Sequence, residues 1–403
     1  MTSFGATAQS EEIQSLASRH AARIGLVLTS AIVRTRQDFE AIAADWQALE
    51  QYNSGAILFQ GTNWCRAVFE FEAARANPKF DPVIATLAEH GQLKAVLPLE
   101  RVRAKGRTVL MPLGHAFAQY SDVLVAPDLD PRTAIAKMLK SAINAAPCDA
   151  VSFLKVRSDS TLAAGMPKNH LVTGSVQGAP YVALSDFADY QAYFATIKPK
   201  TRKNMRNDRN RLERDGPVEH HVAADHAQTL GIIGRTLEGR AERLKDQGLT
   251  SRAFRDGAFL DFCMGLPGQS GLELLAMSLR HNGKPIAEQW GFVHNNRYYA
   301  FVASRDFGNS DESPGKLHLG EVIHACSERG LVGADLMVPV MPYKLTWATN
   351  VIEVTDYALP VTPLGQLVLR LWDRTLRPLF KQAVLRMPKG LRGALMKASG
   401  RSL

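Results

Sequence analysis

The chain has 403 residues, 46% of them apolar and 22% charged, with a formal net charge of +9. That length exceeds one ordinary hydrophobic core, and the balance is that of a soluble globular protein rather than a disordered or fibrous one. No apolar run reaches the roughly 20 residues that cross a bilayer, which argues against a membrane-spanning chain.

The first 25 residues are small, polar and aperiodic and are expected to form a flexible head. Leu26 to Arg34 then reads as a strand, and Gln37 to Glu50 as a helix with Phe39, Ile42, Trp46 and Leu49 near helical spacing. A second helix is expected from about Thr62 to Ala76, with Thr62 or Asn63 as its cap. Pro82 to Ala88, the turn at His90-Gly91, Leu93 to Val102, a basic turn and Thr108 to Leu113 have the alternation and turn residues of a β-meander. Ser121 to Val125 adds a strand, Asp130-Pro131 opens a helix that runs to about Ala145, and Ala150 to Val156 is a buried strand.

Next comes a connector. Gly178 to Leu184 reads as an extended crossing strand, Phe187 to Ile197 as a short helix, and Pro199 to Asp215 as a basic helix between Pro199 and Gly216-Pro217. A further helix runs from about Ala224 to Lys245. From Gly271 the order is strand, Asn-Gly hairpin, strand, Asn-Asn turn, strand, a polar loop ending in Ser313-Pro314-Gly315-Lys316, a helix, a buried strand and then Tyr343 to Trp347. The two meanders and the helices and strands that follow them recur in one order, so the chain reads as one fold built twice, residues 26–178 and 179–360, followed by a basic tail at 361–403. The fold class is therefore α/β (α+β), with mixed, largely antiparallel sheets.

The charge is unevenly placed. Eight basic residues from Lys198 to Arg214 face only Asp208 and Glu213, and nine from Arg370 to Arg401 face only Asp373. Two local patches, rather than the whole surface, therefore call for an anionic neighbour. In the tail Leu364, Leu367, Val368, Leu371, Trp372, Leu379 and Phe380 form an apolar stripe, which suits either an anionic membrane surface or docking on the protein itself. Cys65, Cys148, Cys263 and Cys326 are widely spaced, and no H-E-x-x-H occurs, so neither a zinc site nor a disulfide framework is indicated. That cysteine usage suits a reducing cytoplasm, with the tail as a means of peripheral attachment to the inner membrane face.

Five segments taken together resemble a known group: Ile57 to Trp64, Leu113 to Asp122, Lys200 to Val218, Ser313 to Gly315 and Tyr343 to Trp347. They are similar to the tandem GNAT-fold acetyltransferases associated with bacterial cellulose and exopolysaccharide synthesis, which are more distantly similar to the Fem peptidyltransferases. The resemblance implies two tandem GNAT-like domains and transfer of an acyl group, with acyl-CoA (acetyl-CoA) as donor, to an amine or hydroxyl of a saccharide or cell-envelope precursor. It leaves two other functions open: an aminoacyl-tRNA-dependent transferase of Fem type, and a non-catalytic scaffold of a polysaccharide machine. The loop Asp311 to Lys316 departs from the usual glycine-rich GNAT pyrophosphate pattern, and Asp311 and Glu312 would repel a pyrophosphate that they faced.

Acyl transfer needs donors for a developing oxyanion, a route for the nucleophile's proton and alignment of two substrates. Ser313, Gly315, Lys316 and Leu317 offer the backbone N–H groups of a helix N-terminus to the donor, or merely start a helix. Tyr343 is expected to protonate a leaving thiolate, and Lys344 to bind a substrate carboxylate or phosphate; the alternative is a packed tyrosine and a solvated lysine. His318 in the first helical turn is either a general base or merely an exposed or core-packed histidine, and Glu288 and Gln289, which alternate faces of the middle strand, are candidates for the catalytic and substrate-binding roles, with a surface-facing glutamine as the alternative. Asp122 matches an acidic position of the group and either lines the site or caps a turn. Arg202 and Arg206 form a basic stripe that serves either an anionic substrate or simply a solvated helix face, and Trp347 completes the expected substrate contacts.

Overall fold

The computed structural model describes residues 28–370 except 54, 56, 105, 247–256, 270 and 306–313. The expected head, Ser313 and the tail beyond residue 370 lie outside the described residues.

The first half runs β1 (Leu28–Val33), α1 (Arg36–Gln51), α2 (Thr62–Ala74), β2 (Pro82–Glu89), β3 (Gln92–Ala104), β4 (Arg107–Pro112), β5 (Leu124–Val125), α3 (Pro131–Ala145), β6 (Ala150–Arg157), α4 (Thr161–Gly165) and β7 (Leu171–Ala183). The second runs α5 (Tyr190–Thr196), α6 (Pro199–Arg214), β8 (Val218–Val222), α7 (His226–Asp246), α8 (Ala258–Gly265), β9 (Glu273–His281), β10 (Lys284–His294), β11 (Arg297–Arg305), α9 (Pro314–Glu328), β12 (Gly333–Asp335), α10 (Pro342–Leu345) and β13 (Asn350–Pro360), with α11 (Pro363–Val368) after it. The hairpin turns form where their residues permit positive φ: His90 and Gly91 at 50° and 82°, Asn282 and Gly283 at 52° and 74°, Asn295 and Asn296 at 48° and 57°.

Among the described residues all strands join one sheet in the order β1-β2-β3-β4-β6-β13-β7-β12-β11-β10-β9-β8, with β5 beside β3. The halves thus exchange their last strands. β13 of the second half pairs antiparallel with β6 of the first, β7 of the first pairs antiparallel with β12 of the second, and β7 and β13 pair with each other at the centre. A boundary at residue 178 therefore falls inside β7 rather than in a linker.

One face of the sheet is covered by α1 and α2 of the first half and α7 and α8 of the second, which share a core. There the Trp64 ring meets Phe262 at 5.3 Å and Phe292 at 5.6 Å, and Phe117 stacks on Phe262 at 4.2 Å. On the opposite face each half has its own core, under α3 in the first and under α5 and α9 in the second. Alternation along the central strands decides which face a residue serves: Glu288 pairs with Ser278 and Ser304 on the α7 side, and Gln289 with Met277 and Ala303 on the α9 side.

Candidate active site

The fold leaves two gaps in the sheet, one per half, because each parallel pair lasts only a few residues. β4 meets β6 at Val109–Ala150 and Leu110–Val151, and β11 meets β12 only from Arg297–Gly333 to Tyr299–Asp335. Beyond those pairings the strands part. A gap beside the carboxyl ends of parallel strands is where ligands of open sheets sit.

The first gap is closed by the protein itself. Between β4 and β5 the chain leaves the sheet through Gly114, whose φ of 67° and 2.6 Å clearance from Val68 Cγ2 demand glycine. It returns through Tyr120-Ser121-Asp122. The Ser121 hydroxyl donates to Leu154 O at 2.6 Å, and Gln60 Nε2 donates to Tyr120 O at 3.1 Å. Asp122 is fully enclosed, with Oδ1 accepting from the Val123 and Leu162 amides at 2.8 Å each, so it ties this plug to α4 and meets no crevice. The N-terminus of α3 is also occupied, since the Asp130 carboxylate accepts from Thr133 N at 2.9 Å. An incoming anion would meet a negative charge there.

Burial pushes the Asp122 carboxyl up to about 7, against the two amides that oppose it. A raised folded-state pKa means that the carboxyl's contribution to stability is present at acid pH and is lost as pH rises toward 7. Asp122→Asn keeps the acceptor and removes the buried charge. It is expected to stabilise the protein by about 1–3 kcal/mol at pH 8 and by little at pH 4, as read from urea midpoints at the two pH values.

The second gap differs at the strand itself. Ala303, on a central strand, is exposed. The first turn of α9 contains no acid; Gly315 is half-buried and Lys316 exposed. The basic helix α6 lies along α9 through Met205 and Leu317 and through Arg209 Nη1 to Glu321 Oε1 at 2.7 Å. The first-turn amides and the positive end of the α9 dipole are therefore not matched by a carboxylate of α9.

Three cations lie near the junction of the halves, Arg240 being within electrostatic range of both Lys155 and Lys344. Lys155 sits in a bulge of β6 opposite Asp356, with φ of 55°; its amide donates to Asp356 Oδ1 at 2.7 Å and its Nζ to Gln119 Oε1 at 2.8 Å. Lys344 of α10 donates from Nζ to the carbonyls of Met337 at 2.9 Å and Pro339 at 3.3 Å. Arg240, near the end of α7, stays in contact with solvent and makes neither a hydrogen bond nor an ion pair with the described residues. Burial, with Arg240 adding to it, pushes Lys344 down to about 8; burial and Arg240 also lower Lys155, against Asp356.

The floor of the junction is a buried network. Asp335 accepts from Tyr120 Oη at 3.0 Å, from Met337 N at 2.8 Å and from Arg157 Nη1, and Arg157 also grips Asp159 through Nε at 2.9 Å and Nη2 at 2.8 Å. Burial alone would lower the Arg157 pKa, but Asp335 and Asp159 outweigh it and raise it. Asp335 thereby fixes the backbone turn at Met337, whose carbonyl holds Lys344.

Several residues expected at the site are placed elsewhere. His318 is buried facing His220, with ring centroids 5.7 Å apart, neither nitrogen partnered, and burial holding it at about 3; it is a neutral interior residue and cannot serve a ligand as base. Gln289 is buried beneath α9 and donates to Tyr298 Oη at 3.3 Å. Trp347 is a wedge under α9: a Cβ on Gly320 would stand 2.5 Å from its ring, and its carbonyl accepts from Tyr193 Oη at 2.5 Å. Glu288 is clamped by Arg235 at 2.7 and 2.9 Å on the α7 face. Arg202 and Arg206 lie on α6, half-buried and exposed respectively, away from the junction, and only Tyr343 and Lys344 of the expected set reach it. Lys155, Arg157, Arg240 and Asp335 were not among the expected residues; the interruption of the buried strand by Lys155 was the one available signal.

A groove of about 750 Å³ lies outside this junction along α2, β3 and the turn at Gly114 to Phe117. Of its acids, Asp81 pairs with Arg34 and Arg101, Glu100 contacts His115, and Glu72 accepts from Asn77 Nδ2 at 2.5 Å. Among the described residues no group of histidine, cysteine and carboxylate side chains is placed to hold a metal ion, all four cysteines are free and buried, and no helix is long and apolar enough to cross a membrane.

Residues 199–345 match the family model of the acetyltransferase (GNAT) domain. The crystal structure of FemX is similar over 86% of this chain and 100% of its own, at 12% identity and a TM-score of 0.56. A conserved protein of unknown function from Bacteroides thetaiotaomicron is similar over 83% and 99% of the two chains, at 15% identity and a TM-score of 0.51. A tandem GNAT protein from the clavulanic acid biosynthesis pathway covers 83% of this chain and 99% of its own, at 8% identity and a TM-score of 0.46. No curated protein matches by sequence. The fold is that of two GNAT-like units in tandem.

Proposed function

We propose that the protein is an acyltransferase that works at the gap between β11 and β12 of its second half, moving an acyl group from acyl-CoA to an amine or hydroxyl. The observation that carries this reading is the asymmetry of the two gaps. In the first, Tyr120 to Asp122 fill the space and the Asp130 carboxylate caps the helix; in the second, Ala303 is exposed and the first turn of α9 carries the Lys316 charge.

The residues present fit the diphosphate of coenzyme A in kind: Gly315, Lys316 and Leu317 would hold it through first-turn amides and the Lys316 charge. When bound, the coenzyme supplies the acyl thioester. Lys344 uses two of its three protons on carbonyls and keeps one for the oxygen that gains charge during transfer. Tyr343, beside it, would be the proton source for the departing thiolate. The acceptor would enter from the α7 face, between the halves. The resemblance of the sequence to the exopolysaccharide-associated group supports a saccharide or cell-envelope precursor in that role.

Gly315→Asp places a carboxylate where the diphosphate is expected. Titration calorimetry should show acetyl-CoA binding weakened at least about tenfold, as loss of about 1.4 kcal/mol implies. Wild-type affinity in that variant would overturn the reading.

A further inference from the structure

The groove along α2 and β3 has no part in the proposed transfer, yet its volume of about 750 Å³ falls within the roughly 300–1,000 Å³ of small-molecule sites. Its walls come from the end of α2, the loop into β2, the carboxyl end of β3, the turn at Gly114 to Phe117 and the start of α8. Phe80, Phe117 and Phe259 supply aromatic lining. The same lining includes Arg75, Lys79 and Arg103, which are exposed and form no ion pair among the described residues. Arg75 rests with its guanidinium 5.1 Å from the centre of the Phe71 ring, a neutral partner. Glu100 Oε1 accepts from the His115 amide at 3.2 Å and from its ring Nδ1 at 2.8 Å, which sets the ring and leaves Nε2 without a partner among the described residues.

We infer that this groove binds a soluble organic anion in which a flat apolar body carries a phosphate, the body against the phenylalanine rings and the phosphate among Arg75, Lys79 and Arg103. Aromatic side chains favour a flat body because offset-stacked and edge-on contacts add to the area they bury. A phosphate, with three acceptor oxygens and about two negative charges, engages several cations at once, as a single carboxylate does not. The carboxylates of the lining are turned to other partners, Asp81 to Arg34 and Arg101, Glu100 to His115 and the buried Glu72 to Asn77. His115 Nε2 is then the further polar contact that orients the ligand. A concavity walled by five segments suits a molecule that enters from solution rather than a bilayer surface, which needs an outward apolar face. None of these residues belongs to the gap between β11 and β12, so the inference stands apart from the acyltransferase reading.

The probe is 1-naphthyl phosphate, titrated by calorimetry into the full chain. It should bind at least about tenfold more tightly than inorganic phosphate or 1-naphthol, each of which lacks half of what the groove recognises. Arg103→Gln removes a cation and Ala116→Trp fills the space, both at exposed lining positions where the fold tolerates change. Each should weaken the probe at least about tenfold, whereas a change at the exposed Lys140 of α3, Lys140→Gln, should alter it less than about twofold. Saturating acetyl-CoA should leave the probe's affinity within about twofold. Undiminished binding by both lining variants would overturn the groove as the site, and displacement of the probe by acetyl-CoA would overturn a separate ligand. Attachment to phosphatidic acid vesicles that Arg103→Gln abolishes, without binding of the naphthyl ester, would overturn the soluble ligand in favour of a lipid. If the probe behaves as expected but acetyl-CoA binds nowhere, the groove stands and the acyl-CoA reading falls.

Discussion

Asp335→Ala is expected to cost about 3–5 kcal/mol of folding stability, the loss typical of removing one partner from a buried ion pair. Asp335 is fully enclosed and serves three donors, the Arg157 guanidinium, the Tyr120 hydroxyl and the Met337 amide. Removing it leaves a cation that, among the described residues, is ion-paired with Asp159 alone, and Asp159 is exposed to solvent. Because Arg157 and Tyr120 come from the first half and Asp335 from the second, the loss should appear as one cooperative transition shifted to lower urea, with an unchanged slope. A second, earlier transition confined to one half would show instead that the halves are stable independently of this network. A cost below about 1 kcal/mol would place the pair among those that water replaces without penalty.

Lys344→Met should lower the rate of acyl transfer about 10²–10³-fold, the range seen when one donor to a developing oxyanion is removed, with little change in the Michaelis constant for the donor. Methionine keeps the length of the side chain and loses the charge. The pH dependence supplies the sign. Lys344 is held at about 8 by burial and Arg240, so the charged form that the mechanism requires predominates below that pH. Activity of the wild type should therefore fall as pH rises through about 8, and Lys344→Met should lose that limb. A wild-type profile that instead climbs through pH 8 would assign Lys344 as a base, acting in its neutral form. A rate within threefold of wild type would remove it from the chemistry.

The alternation of apolar residues, the Asn-Gly and His-Gly turns and the Pro131 and Pro199 helix starts made most elements legible, because each depends on local backbone preference. The strand Asn350–Pro360 and the helix Ala258–Gly265 were not anticipated. The former carries Glu353 and Asp356 within an apolar pattern and takes its place only through partners nearly two hundred residues away. The site shows the same division. Tyr343 and Lys344 stood out because two prolines frame the approach to them. Arg240 is one charge among many on α7, and Arg157 and Asp335 acquire meaning only when β6 and β12 are brought to either side of the exchanged strands. His318 misled for a related reason: position in a first helical turn does not say which way a side chain points, and here it points inward at His220.

The exchange of last strands has a consequence for synthesis. The first half ends its own sheet at β6, yet the neighbour that covers that edge is β13, which leaves the ribosome some two hundred residues later. Until then β6 presents unpaired amides and carbonyls to the cell, an invitation to pair with another nascent copy. Truncation anywhere before residue 350 should therefore yield aggregates rather than a smaller working domain, and β6 is the segment from which such aggregates would grow.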